Sequence, residues 1–308
     1  VARAAENAPD LTVVTVAYRS RVLVAELLDG LPAELPVIVV DNSDGSDGLP
    51  DVVAARPNGK YLVGGGVGYA RAANAGADAA TTEVIVFVNP DTRPTAADLA
   101  TLAADVAGDP RCAASAAVLV DPDGRPRLGV GGWEFSPLRA AAFAVGLHKV
   151  LPRVGPFARP AAGEQLDVDW VSGAVMAIRR STFAELGGFD DRYYVYCEDV
   201  AFGRRARERG MYERMRSDVG VHGSSGGSGA PSLEMMRLRG ASLTRYVRHH
   251  QPPLRAGAIS AFMAFGYALR TVGQLALRNR RRAREHWAYA VGLVTARATV
   301  SGRVVTDR

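Results

Sequence analysis

The 308 residues are 48% hydrophobic and 22% charged, a composition that supports a buried core and excludes disordered and collagen-like chains. Two cysteines, Cys112 and Cys197, exclude a disulfide framework and a cysteine-built metal site, and they point to a reducing compartment. The net charge of +5 conceals an asymmetry: Leu233–Arg308 holds 14 Arg against Glu234, Glu285 and Asp307, a net of +11, leaving the preceding residues at −6.

Val1–Asp10 carries charge and no apolar core, so it does not read as a signal peptide. Leu11–Ala17 then reads as a buried strand, Val22–Leu31 as a helix closed by Pro32, and Pro36–Asp41 as a second strand. Strand, helix and strand with short links form a right-handed βαβ unit, hence a parallel sheet. A turn-rich loop, Asp41–Gly48, and a short strand, Tyr61–Val63, follow. Gly64-Gly-Gly-Val-Gly68 leads into an Ala-rich helix, Tyr69–Ala80, that carries Arg71 and Asn74. No Gly-Lys-Ser/Thr follows those glycines, so they are not a P-loop. Val84–Val88 is five apolar residues without a break, the pattern of a strand buried on both faces. Asn89-Pro90 ends it, because proline supplies no N–H to the ladder.

Beyond Ala113–Val120 and a tight turn at Asp121–Arg125, periodicity fails from Arg125 to Leu166. Such an insertion is often a lid or binding loop, here with helix around Leu138–Val145. Val168–Ile178 reads as a strand, Ser181–Leu186 as a short helix and Val200–Arg209 as a basic helix. A strand near Tyr212–Met215 leads to His222 and the Gly-rich, flexible Gly223–Gly229. The domain boundary falls there, with 1–230 as an α/β body and 231–308 as a basic helical region.

Asp41 and Asp91 follow two parallel strands at their carboxyl ends, where open α/β sheets bind ligands. The plainer alternative for Asp91 is the N-cap of a helix at Thr95–Ala107. Glu198-Asp199 begin a helix, where acids also cap and favour the dipole. They follow Phe189, Tyr193, Tyr194 and Tyr196, aromatics able to stack on a sugar ring or desolvate a base. Asp91, Asp199 and His222 together supply a metal ligand, a general base and a second, nitrogen ligand.

The ordered series Thr15–Ser20, Val39–Ser43, Val67–Arg71 with Asn74 and Gly76, Asn89-Pro90-Asp91, Asp169–Gly173, Gly187–Asp190, Glu198-Asp199 and His222 resembles glycosyltransferase family 2, most nearly its bacterial rhamnosyltransferase-like branch. The resemblance spans Leu11 to Gly229. It implies a type A glycosyltransferase fold, Rossmann-like and mostly parallel. It further implies a nucleotide-diphosphate sugar donor, Mg²⁺ or Mn²⁺, and inversion at the anomeric carbon. By the same resemblance Thr15, Ala17, Tyr18, Asp41, Arg71 and Asn89 bind the nucleotide, and Asp91 and His222 the metal. Trp170, Ser172 and Gly173 shape the floor for donor sugar and acceptor, and Asp199, with Glu198 beside it, is the base. Two positions depart from the pattern: Gly66 stands where an Asn is common, and Gly223 where a second His is common.

A UDP-sugar is the alternative donor to dTDP-rhamnose. A nucleotidyltransferase would carry a Gly-rich basic signature after the first strand, and Tyr18–Val22 has no glycine. A nucleic-acid-binding protein would interleave aromatics with its cations, whereas the tail mixes Arg with long apolar runs, so no nucleic acid is expected. Ala256–Leu277 has Arg270 as its one charge. Tyr267, Arg270, Thr271, Gln274 and Arg278 form a polar stripe opposite Ile259, Phe262, Met263, Phe265, Leu269 and Val272. That pattern suits a helix lying in a membrane interface or packing on the body. The five Arg at 278–284 favour an anionic membrane, and the alternative is a helical subdomain that covers the sheet with a solvated Arg face. The chain is therefore expected to be cytoplasmic, peripheral on the inner membrane face, and to use a polyprenyl-linked or glycan acceptor.

Overall fold

The computed structural model describes residues 10–121, 123–127, 129–223, 232–300 and 303–305. The expectations for Val1–Asp10, but for Asp10 itself, and for the flexible run after Gly223 lie outside these described residues.

Strand β1 (Leu11–Ala17), helix α1 (Arg21–Asp29) and strand β2 (Val37–Asp41) form the expected βαβ unit, and β1 pairs parallel with β2. Helix α2 (Leu49–Ala54) and strand β3 (Gly59–Val63) follow, then helix α3 (Tyr69–Asp78) and strand β4 (Val84–Val88). All five residues of β4 are buried, as an unbroken apolar run requires. Helix α3 lies close on the sheet because Gly76 has no side chain. A Cβ there would stand 2.4 Å from Val14 Cγ1 and 3.0 Å from Val40 Cγ2.

Helix α4 (Ala96–Gly108) precedes strand β5 (Cys112–Val120), then the two-residue strand β6 (Gly131–Gly132), helix α5 (Pro137–Ala144) and a 3-10 turn at Leu147–Lys149. The run expected as one strand over Val168–Ile178 is divided into β7 (Gln165–Val168), β8 (Trp170–Val171) and β9 (Val175–Arg179). Asp169 N–H bonds to Gly132 O and Ser172 N–H to Val130 O, at 2.8 and 2.9 Å, which draws the middle of the run onto β6. Helices α6 (Arg180–Glu185) and α7 (Glu198–Glu208) and the long strand β10 (Tyr212–His222) follow. The last elements are α8 (Ser232–His250), α9 (Pro253–Ala276), α10 (Arg280–Thr295), β11 (Ala298–Val300) and β12 (Arg303–Val305).

The main sheet has the order β3-β2-β1-β4-β9-β5-β10-β7. Its first four strands are parallel, β9 runs antiparallel between β4 and β5, β10 is parallel to β5, and β7 is an antiparallel edge. The core lies where Val13, Val86, Val39 and Val175 meet Leu27, Leu99 and Leu102 of the helices.

The chain divides into two compact units. One gathers the described residues of 1–132, 160–191 and 199–229 and holds the main sheet. The other gathers those of 133–159, 192–198 and 230–308. The helical unit thus takes in most of the aperiodic insertion and the Arg192–Glu198 segment as well as the C-terminal helices. Within it α8 and α10 approach through Gly240 and Gly292, whose added Cβ atoms would meet Tyr289 O at 2.3 Å and Arg237 O at 2.0 Å.

Overpacking a filled site costs about 1–3 kcal/mol, so Gly76→Ala is expected to lower the urea-unfolding free energy by that amount. An unchanged midpoint would show that α3 does not depend on close approach to β1.

Candidate functional site

The carboxyl ends of the first parallel strands meet along one edge. Ala17 is level with Asp41, and Asp41 with Val63. Asn42 N–H bonds to Ala17 O and Gly64 N–H to Asp41 O, both at 2.7 Å, tying these ends together. Thr15 and Ala17 are wholly buried in β1 and offer no surface, and the Thr15 hydroxyl has no hydrogen-bond partner among the described residues. Tyr18 is half-buried just beyond them. Asp41 is also buried; its Oδ1 accepts from Ser43 N–H (2.9 Å) and Oγ–H (2.5 Å), and Oδ2 accepts from the Tyr61 hydroxyl at 2.8 Å. Burial first, and then that bond to Asp41, push the Tyr61 phenol up to about 12. A carboxylate has about four acceptor sites, so Asp41 keeps capacity for one more donor.

Asp91 is not a helix cap. Helix α4 is capped by Thr95, whose hydroxyl accepts from Asp98 N–H at 3.2 Å while the Asp98 carboxylate accepts from Thr95 N–H at 2.8 Å. Half-buried Asp91 instead sits in a turn in which Thr92 N–H and Oγ–H both bond to Asn89 O, at 3.1 and 2.7 Å. The end of β10 lies against this turn: Arg93 N–H bonds to His222 O at 2.9 Å, and Thr92 bridges Gly223. Residues 131 positions apart in the chain, Asp91 and exposed His222, are thus brought to adjoining backbone segments. Among the described residues no three His, Cys, Asp or Glu converge as a metal cage. The carboxylate suits a hard cation that completes its shell with substrate phosphate and water, while the imidazole offers a nitrogen that softer divalent ions favour.

Asn89 N–H bonds to Ala174 O at 2.7 Å, which ties the end of β4 to the turn after β8. In that turn Gly173 O accepts from the Tyr69 hydroxyl of α3 at 3.3 Å, and Gly173 N–H reaches Asp199 Oδ2 at 3.4 Å. Asp199 Oδ1 accepts from Val200 N–H at 2.8 Å. The two adjacent acids differ: Glu198 is buried, Asp199 half-exposed. They are delivered by Tyr196 and Cys197, both held at positive φ, +68° and +70°, a conformation that costs side-chain-bearing residues about 1–3 kcal/mol each. Trp170 is buried on Gly203 of α7, where a Cβ would come within 3.0 Å of the Trp170 Cα, and Ser172 is half-buried. Exposed Arg71 pairs with Asp191 at 3.3 Å.

The aromatic run does not form a wall for a ligand. Phe189 is buried against Phe87, Phe183 and Phe202, and Tyr193 is buried too. Tyr194 and Tyr196 pack in the helical unit with Leu238 and Ala241. These rings serve cores, because their apolar area outweighs any gain from exposing them.

Two roles escaped the sequence. Asn74 pairs with the backbone of Phe189, its Oδ1 accepting and its Nδ2 donating, both at 2.8 Å. It thereby closes the Gly187-Gly188 turn. Glu213 of β10 is 1% exposed, its Oε2 accepts from Val171 N–H at 2.6 Å, and its Oε1 has no hydrogen-bond partner among the described residues. Burial first, and nearby Asp199 and Asp169 after it, raise its pKa well above the ordinary 4.5, against the pull of Val171 N–H and Arg207. The available signal was its alternation with Met215, which sets a carboxyl on the inward face of the strand.

These features define an α/β fold with a carboxylate-rich edge. The solved mannosyltransferase from Pyrobaculum calidifontis, in complex with GDP-Man and Mn²⁺, shares the α/β fold at TM-score 0.57 and 19% identity, over 94% of this chain and 86% of that one. So does GalNAc-T7 with UDP, GalNAc and Mn²⁺, at TM-score 0.58 and 15% identity, over 91% and 55%. The fold is the type A glycosyltransferase fold. Residues 12–158 match the model of Glycosyl transferase family 2. An N-acetylglucosaminyl-diphospho-decaprenol L-rhamnosyltransferase of Mycobacterium tuberculosis is 31% identical over 203 residues, 58% of this chain and 64% of that protein. Rhamnosyltransferase WbbL of Escherichia coli is 48% identical over 33 residues, 11% of this chain and 12% of that protein. The chain therefore spans just under two thirds of the length of the mycobacterial relative.

Glu213 carries a pH signature. A carboxyl whose folded pKa is raised contributes stability present below its unfolded value and lost as pH rises toward the folded one. Thermal melts of the wild type are expected to fall from about pH 4.5 upward more steeply than those of Glu213→Gln, which has no proton to lose. Parallel profiles would mean that Glu213 is ionised in the folded protein.

Proposed function

We propose that the protein is an inverting, metal-dependent glycosyltransferase that moves a sugar, rhamnose from dTDP-rhamnose, to a hydroxyl of a lipid-linked or cell-surface glycan. The observation that carries this reading is the delivery of Asp91 by β4 to a turn backed by His222, in a chain whose residues 12–158 match glycosyl transferase family 2. The printed name of the mycobacterial relative supports rhamnosyl transfer onto a diphospho-decaprenol-linked sugar.

In this reading the nucleotide lies across the strand ends, with Tyr18, Asp41 and Asn89 around the base and ribose and Arg71 near the diphosphate, while buried Thr15 and Ala17 support β1 beneath without touching it. Asp91 and His222 hold Mg²⁺ or Mn²⁺, which when bound supplies positive charge to the departing diphosphate. Trp170, Ser172 and Gly173 form the floor for donor sugar and acceptor. The acceptor hydroxyl gives its proton to the Asp199 carboxylate as its oxygen bonds to the anomeric carbon from the face opposite the leaving group. The bond from that carbon to the diphosphate breaks, and the configuration inverts. Asp199 suits the base better than Glu198 because it is the more exposed of the two. Gly173 N–H reaches its Oδ2 at 3.4 Å and helps to orient it.

A lipid-linked acceptor does not leave the bilayer, so the enzyme works as a peripheral protein on the inner, cytoplasmic membrane face. Among the described residues no helix is long and apolar enough to cross a membrane. Nucleic acid has no part in this reading.

Nucleotide release from a panel of dTDP-, UDP- and GDP-sugars with Mg²⁺ and Mn²⁺ tests the donor. dTDP-rhamnose is expected to be turned over first, and a response confined to UDP-sugars would replace it. Asp91→Ala and excess EDTA should each abolish transfer; full activity in chelator removes the metal. Asp199→Asn should lower transfer by roughly 10²–10⁴ with donor binding little changed. An active Asp199→Asn beside a crippled Glu198→Gln would move the base to Glu198.

A further inference from the structure

Helix α9 is amphipathic, yet most of its apolar stripe is exposed. Its polar residues turn inward: the Arg270 guanidinium donates to Phe143 O at 2.8 Å and lies 4.0 Å from the Phe143 ring centroid, and Tyr267 stacks on Tyr289 at 4.0 Å. Ile259 and Met263 are buried, but Phe262, Phe265, Leu269, Val272 and Leu275, spaced three and four residues apart, are exposed, Val272 by 65%. The rotation of the helix is fixed by packing. A Cβ on Gly266 would stand 2.7 Å from the Ala144 Cα, so α5 and α9 touch backbone to backbone at that point.

The same contact brings a second exposed apolar segment to α9. Directly after Ala144, α5 gives way to Val145, Leu147, Val150 and Leu151, all exposed, Val145 by 72% and Val150 by 73%. Among the described residues of the sheet-bearing unit, Val22, Val63 and Val67 are the exposed large apolar side chains. All other exposed large apolar side chains belong to the helical unit. Exposed apolar area of this kind marks a surface that something covers.

The charge beside it says what. Lys149 and Arg153 accompany the Val145–Leu151 turn, and Arg278, Arg280, Arg281, Arg282 and Arg284 follow α9 directly. Glu285, the acid in this stretch, is paired with Arg281 at 3.1 Å. A second copy of the chain would bring an equally cationic rim to the contact, whereas an anionic bilayer supplies both acyl chains and compensating charge. We propose that the outer stripe of α9 and the Val145–Leu151 turn form one lipid-facing surface, seated in the headgroup–acyl boundary of an anionic membrane with the Arg cluster on its lipid phosphates. The inference rests on the peripheral-membrane reading above and deepens it. The contact is built jointly from the mid-chain insertion and the C-terminal helices, not from the basic tail alone.

The test is co-sedimentation of the full chain with phosphatidylcholine vesicles, plain or containing about one third phosphatidylglycerol, with light scattering of the free protein. Wild type should bind the anionic vesicles, more weakly in about 0.5 M salt. Phe262→Ser/Phe265→Ser/Leu269→Ser and Val145→Ser/Leu147→Ser/Val150→Ser should each weaken binding roughly tenfold with unchanged melting temperature, since only exposed groups are altered. Arg280→Ser/Arg281→Ser/Arg282→Ser should remove most of the salt dependence. Wild type that binds while both serine triples bind equally well overturns this surface and spares the membrane reading. Wild type that ignores every vesicle overturns both. A wild-type dimer that the serine triples turn into monomers, without vesicle binding, assigns the surface to a second copy.

Discussion

Strand β4 has neither face nor edge in water: β1 pairs along one side, β9 along the other, and all five side chains are buried. At about 1.5–3 kcal/mol for each large apolar side chain, this run contributes on the order of ten kcal/mol, an upper estimate for an extended reference chain. A one-residue slip would draw Glu83 or Asn89 into the buried run, so the polar residues that bound it hold the register. The position of Asn89-Pro90-Asp91 is therefore set by the core. Pro90 ends the ladder, and the carboxylate next to it is carried to the strand end by apolar packing.

Around that fixed point the candidate site is assembled largely by backbone hydrogen bonds. Residues 169–174 are the common element. Arg207 donates to Asp169 O at 2.9 Å, Glu213 accepts from Val171, Gly173 reaches Asp199, and Ala174 accepts from Asn89. A stretch too short and too interrupted to be an ordinary strand thus joins β4, α3, α7 and β10. The short strand β8 and the glycine at 173 follow from that duty: the segment must leave the main sheet, pair with β6, and return as β9.

Glu213 shows what such an assembly tolerates. A carboxyl at 1% exposure with a single backbone donor is costly if charged and inexpensive if it keeps its proton. In the helical unit the compromise is of another kind. Close glycine contacts at 240, 266 and 292 set the rotation of α9 and α10, and the hydrophobic preference of the outer α9 residues yields to them.

By itself the sequence determined the parallel βαβ opening, the burial of β4 and the strand-end carboxylates, and it carries the motifs behind the family match over residues 12–158. These are written in unbroken β-branched runs, in proline stops and in short motifs whose order survives without any contact information. The pairing of Asp91 with His222 is implied by the family resemblance, but only the tertiary structure supplies its cause. The hydrogen bond from Arg93 N–H to His222 O sets the end of β10 against the turn after β4. The tertiary structure also decided that α4 is capped from Thr95, that the aromatic run before Glu198 fills cores, and that Glu198 is buried while Asp199 is not. Most of all it decided which way α9 faces. An amphipathic pattern states that a helix has two unlike faces, but only the neighbours it packs against, here Ala144 against Gly266 and Phe143 beneath Arg270, decide which of them is turned inward.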